Sequence, residues 1–139
     1  RKPAAPLPSA AARILIAEDT EVNRMLVEAF LKHEPYELDF AENGQIALER
    51  FEKGAYDLVL MDLEMPIMDG YTATRKMREF EDRQAATRTP IVALTAHAMQ
   101  EYVERSREAG CDGYLTKPLR KQVLLDEIQA KVGRRPEPS

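Results

Sequence analysis

The sequence predicts an α/β fold, a five-stranded parallel sheet doubly wound by five helices, on three observations. Short, β-branched apolar runs alternate with segments of helical spacing along the chain. Those runs carry little polar alternation, as expected of strands buried on both faces. Strand and helix follow one another as βα units, an order that gives a parallel sheet with right-handed crossovers and helices on both faces.

The first strand is Arg13-Ile14-Leu15-Ile16-Ala17. Helical spacing follows, with Val22, Met25, Leu26, Ala29 and Phe30 as the expected inward stripe. Leu38 and Phe40 alternate with polar neighbours in a second strand, and Asn43 can cap a helix carrying Ala47, Leu48 and Phe51 that Gly54 ends. Leu58-Val59-Leu60-Met61 is the clearest buried strand. Asp69 can cap a third helix with Ala73, Met77 and Phe80 inward, and residues 83–89 read as a polar connector. Pro90 to Leu94 is the fourth strand, a helix runs from about Met99 to Gly110, and Gly113 to Thr116 is the fifth strand. Leu119 to Val132 is the last helix, with Val123, Leu124, Glu127, Ile128 and Lys131 in register.

A length of 139 residues suits one domain. At this size folding buries about 68–70% of the unfolded chain's surface, so no disulfide is required. Cys111 is the only cysteine and reads as a small buried filler in a reducing compartment. The net charge is −4 and no basic stripe carries interleaved aromatics, which argues against nucleic-acid binding by this segment. No apolar run approaches the roughly 18 residues of a membrane helix, and no signal-peptide pattern opens the chain. The start at Arg1 reads as a piece of a longer protein. Residues 1–11 are Pro/Ala-rich and read as a flexible linker, 133–139 as a flexible tail, and 12–132 as the folded domain.

The polar residues concentrate at strand ends. The first strand runs into Glu18-Asp19, the third into Asp62, the fourth into Thr95 and the fifth into Thr116-Lys117-Pro118. Ligands of open parallel sheets bind outside the carboxyl ends of the strands. Three acids, a hydroxyl and an ammonium are therefore expected on one edge. Two unit charges 4 Å apart interact by about 4 kcal/mol at an effective dielectric of 20. The acids repel unless a cation sits among them, and Mg²⁺ suits one or two carboxylates, a carbonyl and water. A carboxylate can also attack phosphorus, giving an aspartyl phosphate. Thr95 and Lys117 are suitable donors to phosphoryl oxygens.

With these residues in place, the chain resembles response-regulator receiver domains of two-component systems over about residues 12–132. The resemblance rests on Glu18-Asp19, the segment from Leu60 through Met61-Asp62-Leu63-Glu64-Met65-Pro66-Ile67-Met68-Asp69 to Gly70, Leu94-Thr95-Ala96, and Tyr114-Leu115-Thr116-Lys117-Pro118. It implies a flavodoxin-like sheet of strand order 2-1-3-4-5. Asp62 would be the phosphoacceptor, and Mg²⁺ would be bound by Asp19, Asp62 and the backbone carbonyl of Glu64, with Glu18 acting mainly through water. Thr95 would be the switch hydroxyl, Lys117 the neutralising cation before a cis Pro118, and Tyr114 the aromatic switch. Glu64 and His97 would tune the phosphate's lifetime.

The style of these motifs is similar to receivers of hybrid sensor histidine kinases. It implies a histidine kinase or histidine phosphotransfer domain as partner, a monomer or weak dimer, and a cytoplasmic domain whose parent would be anchored in the inner membrane. The domain itself would be no turnover enzyme, although it promotes its own phosphorylation and dephosphorylation. Two rivals remain. A haloacid-dehalogenase-like phosphatase would use Asp62 as nucleophile and Glu64 as general acid, but its early nucleophile strand and cap are not seen. A non-phosphorylated interaction module would have lost an acidic, Thr or Lys position, and none is lost. Met61, Met65 and Met68 read as packing, and His33 as a cation at a helix end.

Overall fold

A computed structural model describes residues 11–133. The elements are β1 (Ala12–Ala17), α1 (Glu21–Leu31), β2 (Tyr36–Ala41), α2 (Gly44–Lys53), β3 (Leu58–Asp62), α3 (Gly70–Gln84), β4 (Ile91–Thr95), α4 (Gln100–Ala109), β5 (Gly113–Thr116) and α5 (Lys121–Ile128). A π-helical turn, Gln129–Gly133, follows α5. The strands form one parallel sheet in the order β2-β1-β3-β4-β5, as the family resemblance implies. Apart from Ala11 and Gly133, the expected linker and tail lie outside the described residues.

Alternate strand residues feed two separate cores, so a one-residue slip would exchange every side chain between them. On one face Leu15, Val59, Met61, Ile91 and Ala93 pack with α2 and α3, through Phe51 and Met77. On the other, Ile14, Ile16, Leu58, Leu60, Val92 and Leu94 meet Val27 and Leu31 of α1 and Leu124 and Ile128 of α5. Burial of each such side chain is worth about 1.5–3 kcal/mol, which makes the register strongly specified. Both β3 and β4 are buried along their whole length.

Side chains start three of the helices. Asn43 accepts the Ile46 N–H at 2.9 Å, Asp69 the Thr72 N–H at 2.8 Å, and Thr20 the Asn23 N–H at 3.3 Å. Gly110 closes α4 at φ 118°, a conformation that favours glycine.

Three expectations need correcting. The inward face of α1 holds Val27 and Leu31, whereas Val22 and Met25 are 75% and 58% exposed. Both faces of this helix carry apolar residues, so periodicity alone did not choose between them. α3 continues through Arg83 and Gln84 to a left-handed cap at Ala85, shortening the connector. α5 begins at Lys121 rather than Leu119, and Val123 faces solvent. The methionines behave as packing: Met61 and Met65 are buried and Met68 lies against the same core. Cys111 is buried against Thr74, and burial pushes its thiol up to about 11, disfavouring the nucleophilic thiolate.

Candidate functional site

The register gathers the strand-end residues at one edge of the sheet. Ala17 is paired with Met61, so Glu18 and Asp62 stand side by side one step further on. Asp62 is paired with Leu94 and Thr95 with Thr116, which puts Thr95 one step and Lys117 two steps beyond Asp62. Backbone bonds extend the ladder past the strands: Glu18 N–H donates to Ala41 C=O at 2.9 Å, Leu63 N–H to Leu94 C=O at 3.0 Å, and Lys117 N–H to Thr95 C=O at 2.8 Å. Each functional side chain thus leaves a rigid sheet edge.

Glu18, Asp19 and Asp62 each place a carboxylate oxygen within 4.8 Å of the others. Glu18 and Asp62 are fully buried, whereas Asp19 is half-buried. The Lys117 ammonium reaches Glu18 Oε1 at 3.2 Å and Asp62 Oδ2 at 3.1 Å. Asp62 Oδ1 accepts the Glu64 N–H at 3.1 Å, while Oδ2 has the Lys117 ion pair but no well-aligned hydrogen bond.

Burial, together with the Glu18 charge, pushes the Asp62 carboxyl up to about 7, against the opposing pull of Lys117. Burial also pushes Glu18 upward, but the Asn23 amide, Lys117 and Thr20 outweigh it and leave its carboxyl below the usual range. Lys117 is raised: burial opposes its charge, and the two acids overcome that. One ammonium cannot balance three carboxylates. The cup holds hard oxygen donors close together and one buried carboxylate oxygen short of partners, so its residues fit Mg²⁺.

Thr95 is buried at the rim. Its hydroxyl accepts the His97 N–H at 2.9 Å and lies 3.4 Å from both Glu64 Oε2 and the His97 carbonyl. The His97 ring stacks on Tyr102 with centroids 4.6 Å apart. Tyr114 on β5 is 42% exposed. The Lys117-Pro118 peptide is cis.

Sequence reasoning missed a supporting set. Asn23 Nδ2 donates to Glu18 Oε2 at 3.2 Å, Thr20 contributes both its N–H and its hydroxyl to that oxygen, and Arg24 donates to the Glu18 carbonyl at 2.8 Å. The capped start of α1 was the available signal, since side chains of a first turn lean back toward the residues before the helix. Gly70 and Gly44 were missed as well. A side chain on Gly70 would collide with the Asp62 carbonyl, and one on Gly44 with that of Met68.

The response regulator receiver domain model matches residues 14–129. The chain is 40% identical over 123 residues to the sensor protein GacS of Pseudomonas syringae pv. syringae, covering 88% of this chain and 14% of that protein. It therefore spans a small part of such a relative's length. The receiver domain of the sensor histidine kinase PA1611 of Pseudomonas aeruginosa, with magnesium coordinated in its active site cleft, superposes with a TM-score of 0.80. It shares 38% identity, over 90% of this chain and 100% of that one. The receiver domain of Ssk1 from Saccharomyces cerevisiae, crystallised with the histidine phosphotransfer protein Ypd1, is similar at a TM-score of 0.85. The identity there is 30%, over 88% of this chain and 89% of the matched chain. On this sheet order, this edge and these matches, the chain belongs to the response regulator receiver domain family and is a receiver domain of a phosphorelay.

Proposed function

We propose that Asp62 is the phosphoacceptor of this receiver and takes its phosphoryl group from a phosphohistidine. The observation that carries this reading is the position of Asp62: buried at the end of β3, between two other acids and one ammonium. A carboxylate oxygen of Asp62 attacks phosphorus in line with the leaving nitrogen. The O–P bond forms as the P–N bond breaks, the electron pair stays on the donor's imidazole, and Asp62 becomes a mixed acyl phosphate. The Lys117 ammonium, 3.1 Å from Asp62 Oδ2, pairs with the phosphoryl oxygens. Thr95 turns its hydroxyl toward the same group, giving up its contact with Glu64.

Asp19, Asp62 and the Glu64 carbonyl would hold Mg²⁺, with Glu18 acting through water. When bound, the ion supplies positive charge that offsets the acids and the phosphoryl oxygens. Glu18 already receives protein donors on both oxygens, which supports an indirect role.

The partner is a histidine kinase or a histidine phosphotransfer protein. Exposed apolar side chains lie on the segments that follow the site-bearing strands: Val22 and Met25 on α1 after β1, Ile67, 80% exposed, on the loop after β3, and Met99 between β4 and α4. Ile67 also holds φ 70°, a strained conformation for a β-branched residue. Exposed apolar side chains on these segments suit docking of another protein, and the Ypd1-bound relative supports that class of partner. Thr95, Tyr114, Glu64 and His97 carry the switch and its timing. Among the described residues no helix is long and apolar enough to cross a membrane. We place the domain in the cytoplasm, within a hybrid sensor kinase that is itself anchored elsewhere in its chain.

The test is phosphorylation in Mg²⁺ by acetyl phosphate and by a phosphorylated histidine phosphotransfer protein. The intact chain should gain the mass of one phosphoryl group and shift amide resonances at Asp62, Thr95 and Tyr114, and Asp62→Asn should do neither. Repeated turnover of a phosphomonoester would instead favour a phosphatase.

A further inference from the structure

We propose that Asn23 is a positioning residue for the metal site, its side-chain amide fixing the orientation of Glu18 and thereby the strength of divalent-cation binding. This rests on the Mg²⁺-dependent reading above. Asn23 lies in the first turn of α1 and touches neither Asp19 nor Asp62 through any hydrogen bond, so any effect on the ion must pass through Glu18.

The geometry divides the two oxygens of Glu18. Oε2 takes the Asn23 amide at 3.2 Å, the Thr20 hydroxyl at 3.2 Å and the Thr20 N–H at 3.3 Å. Oε1 faces Lys117 at 3.2 Å and hence the Asp62 side of the cup. Thr20 is itself committed, because its hydroxyl also accepts the Asn23 N–H as the helix cap. Asn23 is therefore bound twice into one bracket, by its backbone to Thr20 and by its side chain to Glu18. Arg24 closes the bracket from below by donating to the Glu18 carbonyl at 2.8 Å.

Without the amide, Oε2 keeps only donors from the flanking Thr20, at hydrogen-bond lengths near the upper limit. A buried carboxylate that loses a donor turns toward the strongest remaining one, here Lys117. That movement pulls the ammonium away from Asp62 and shifts the face Glu18 shows to water in the cup. Partners behind the ligands of a metal site commonly change affinity by 10–100-fold when removed. Since Asn23 is one of three donors on that oxygen, the lower end applies, a weakening of about tenfold.

The experiment is a Mg²⁺ titration of wild type, Asn23→Ala, Asn23→Leu, Asn23→Gln and Asp62→Asn, followed by amide shifts and by the Glu18 carboxyl carbon resonance. Urea unfolding of each protein gives its folded fraction independently. The expected result is that Asn23→Ala and Asn23→Leu weaken Mg²⁺ about tenfold and move the Glu18 resonance before any ion is added. Asn23→Gln, which keeps a donor amide, should recover part of the affinity. An unchanged or tighter affinity in folded Asn23→Ala and Asn23→Leu overturns the proposal while leaving the receiver reading intact. A wild type that does not bind Mg²⁺, or an Asp62→Asn that binds it equally well, removes both together. A purely structural Asn23 would lower the unfolding midpoint with the Mg²⁺ affinity and the Glu18 resonance unmoved, and that too overturns the proposal.

Discussion

The ammonium of Lys117 lies 3.1 Å from Oδ2 of Asp62, reaching across the end of β4 to do so. The same ammonium is 3.2 Å from Glu18 Oε1. One cation thus stands between two buried acids. Removing it leaves both uncompensated, and breaking a buried pair costs about 3–5 kcal/mol. Lys117→Ala should therefore destabilise the metal-free domain by roughly 3 kcal/mol and abolish the response to acetyl phosphate. Lys117→Ala combined with Asp62→Asn should recover much of the lost stability, because one of the stranded charges is gone. Urea unfolding of the two single variants and the double variant measures the coupling. Additive losses would mean that the two groups do not share this pair.

The raised Asp62 carboxyl makes a prediction about pH. Its folded value is about 7, above the ordinary 3.8. Between those values the native protein holds a proton that the unfolded chain has released, so unfolding becomes easier as pH rises. The contribution is fully present below about 4 and is lost as pH passes through about 7, at up to roughly 1.4 kcal/mol per pH unit. Glu18 acts in the opposite sense, because its folded carboxyl lies below 4.5 and its contribution is lost only in more acid solution. In a chelator, the urea midpoint of the wild type should fall from pH 5 to pH 8, and that of Asp62→Asn should stay nearly level. Adding Mg²⁺ should restore the wild type most at the alkaline end. A level wild-type profile in the chelator would count against a protonated Asp62.

How far the site could be read from the sequence depended on which period carried it. Strand ends were legible because a fully buried run such as Leu58–Met61 stops abruptly, and Asp62 is the first polar residue after it. Glu18, Asp62 and Thr95 follow that rule, Lys117 comes one residue after the polar Thr116, and the register gathers all four at one edge of the sheet. Helix faces were less legible. In α1, apolar residues at 22, 25, 26, 27, 29, 30 and 31 cover more than one face, so several stripes fit a period of 3.6. Choosing Val22 and Met25 as inward turned the helix the wrong way. It gave Asn23 and Arg24 no role, so their contacts with Glu18 were not expected. The role of Gly70 was hidden for another reason, since a backbone approach from β3 leaves no trace in periodicity.

That approach is testable by itself. Gly70 follows the Asp69 cap, its N–H donates to the Leu63 carbonyl at 3.1 Å, and it packs directly on the Asp62 carbonyl. A methyl group there must push α3 away from the end of β3. Insertion of one carbon into such a contact costs about 1–3 kcal/mol. Gly70→Ala should lose stability in that range and also weaken Mg²⁺, because the carbonyl and side chain of Asp62 share one backbone unit. Gly54→Ala provides the comparison: it lies at the far end of α2, so it should leave Mg²⁺ affinity unaffected whatever it does to folding. Equal effects of the two on affinity would argue against a local push.

Glu64 and Thr95 set the last expectation. The Thr95 hydroxyl is 3.4 Å from Glu64 Oε2 and accepts the His97 N–H at 2.9 Å, so it is held at the rim before any phosphoryl group arrives. A turn toward a phosphoryl group on Asp62, as proposed for Thr95, would break the contact with Glu64 and draw on the loop that carries His97 and its stacked partner Tyr102. A hydrogen bond of this kind is worth about 0.5–1.5 kcal/mol, and its length puts it at the weak end. Glu64→Ala removes the competing acceptor and so should raise the switched population of the beryllofluoride-bound domain by about two- to threefold. Glu64→Gln retains an acceptor oxygen and should change it less. Amide shifts of Thr95 and Tyr114, measured at full occupancy of Asp62, read that population without interference from phosphorylation rate. His97→Ala leaves the backbone bond to Thr95 in place but removes the stack on Tyr102. It should alter the exchange rate between states more than their ratio, and a change confined to the ratio would assign the ring to the equilibrium instead.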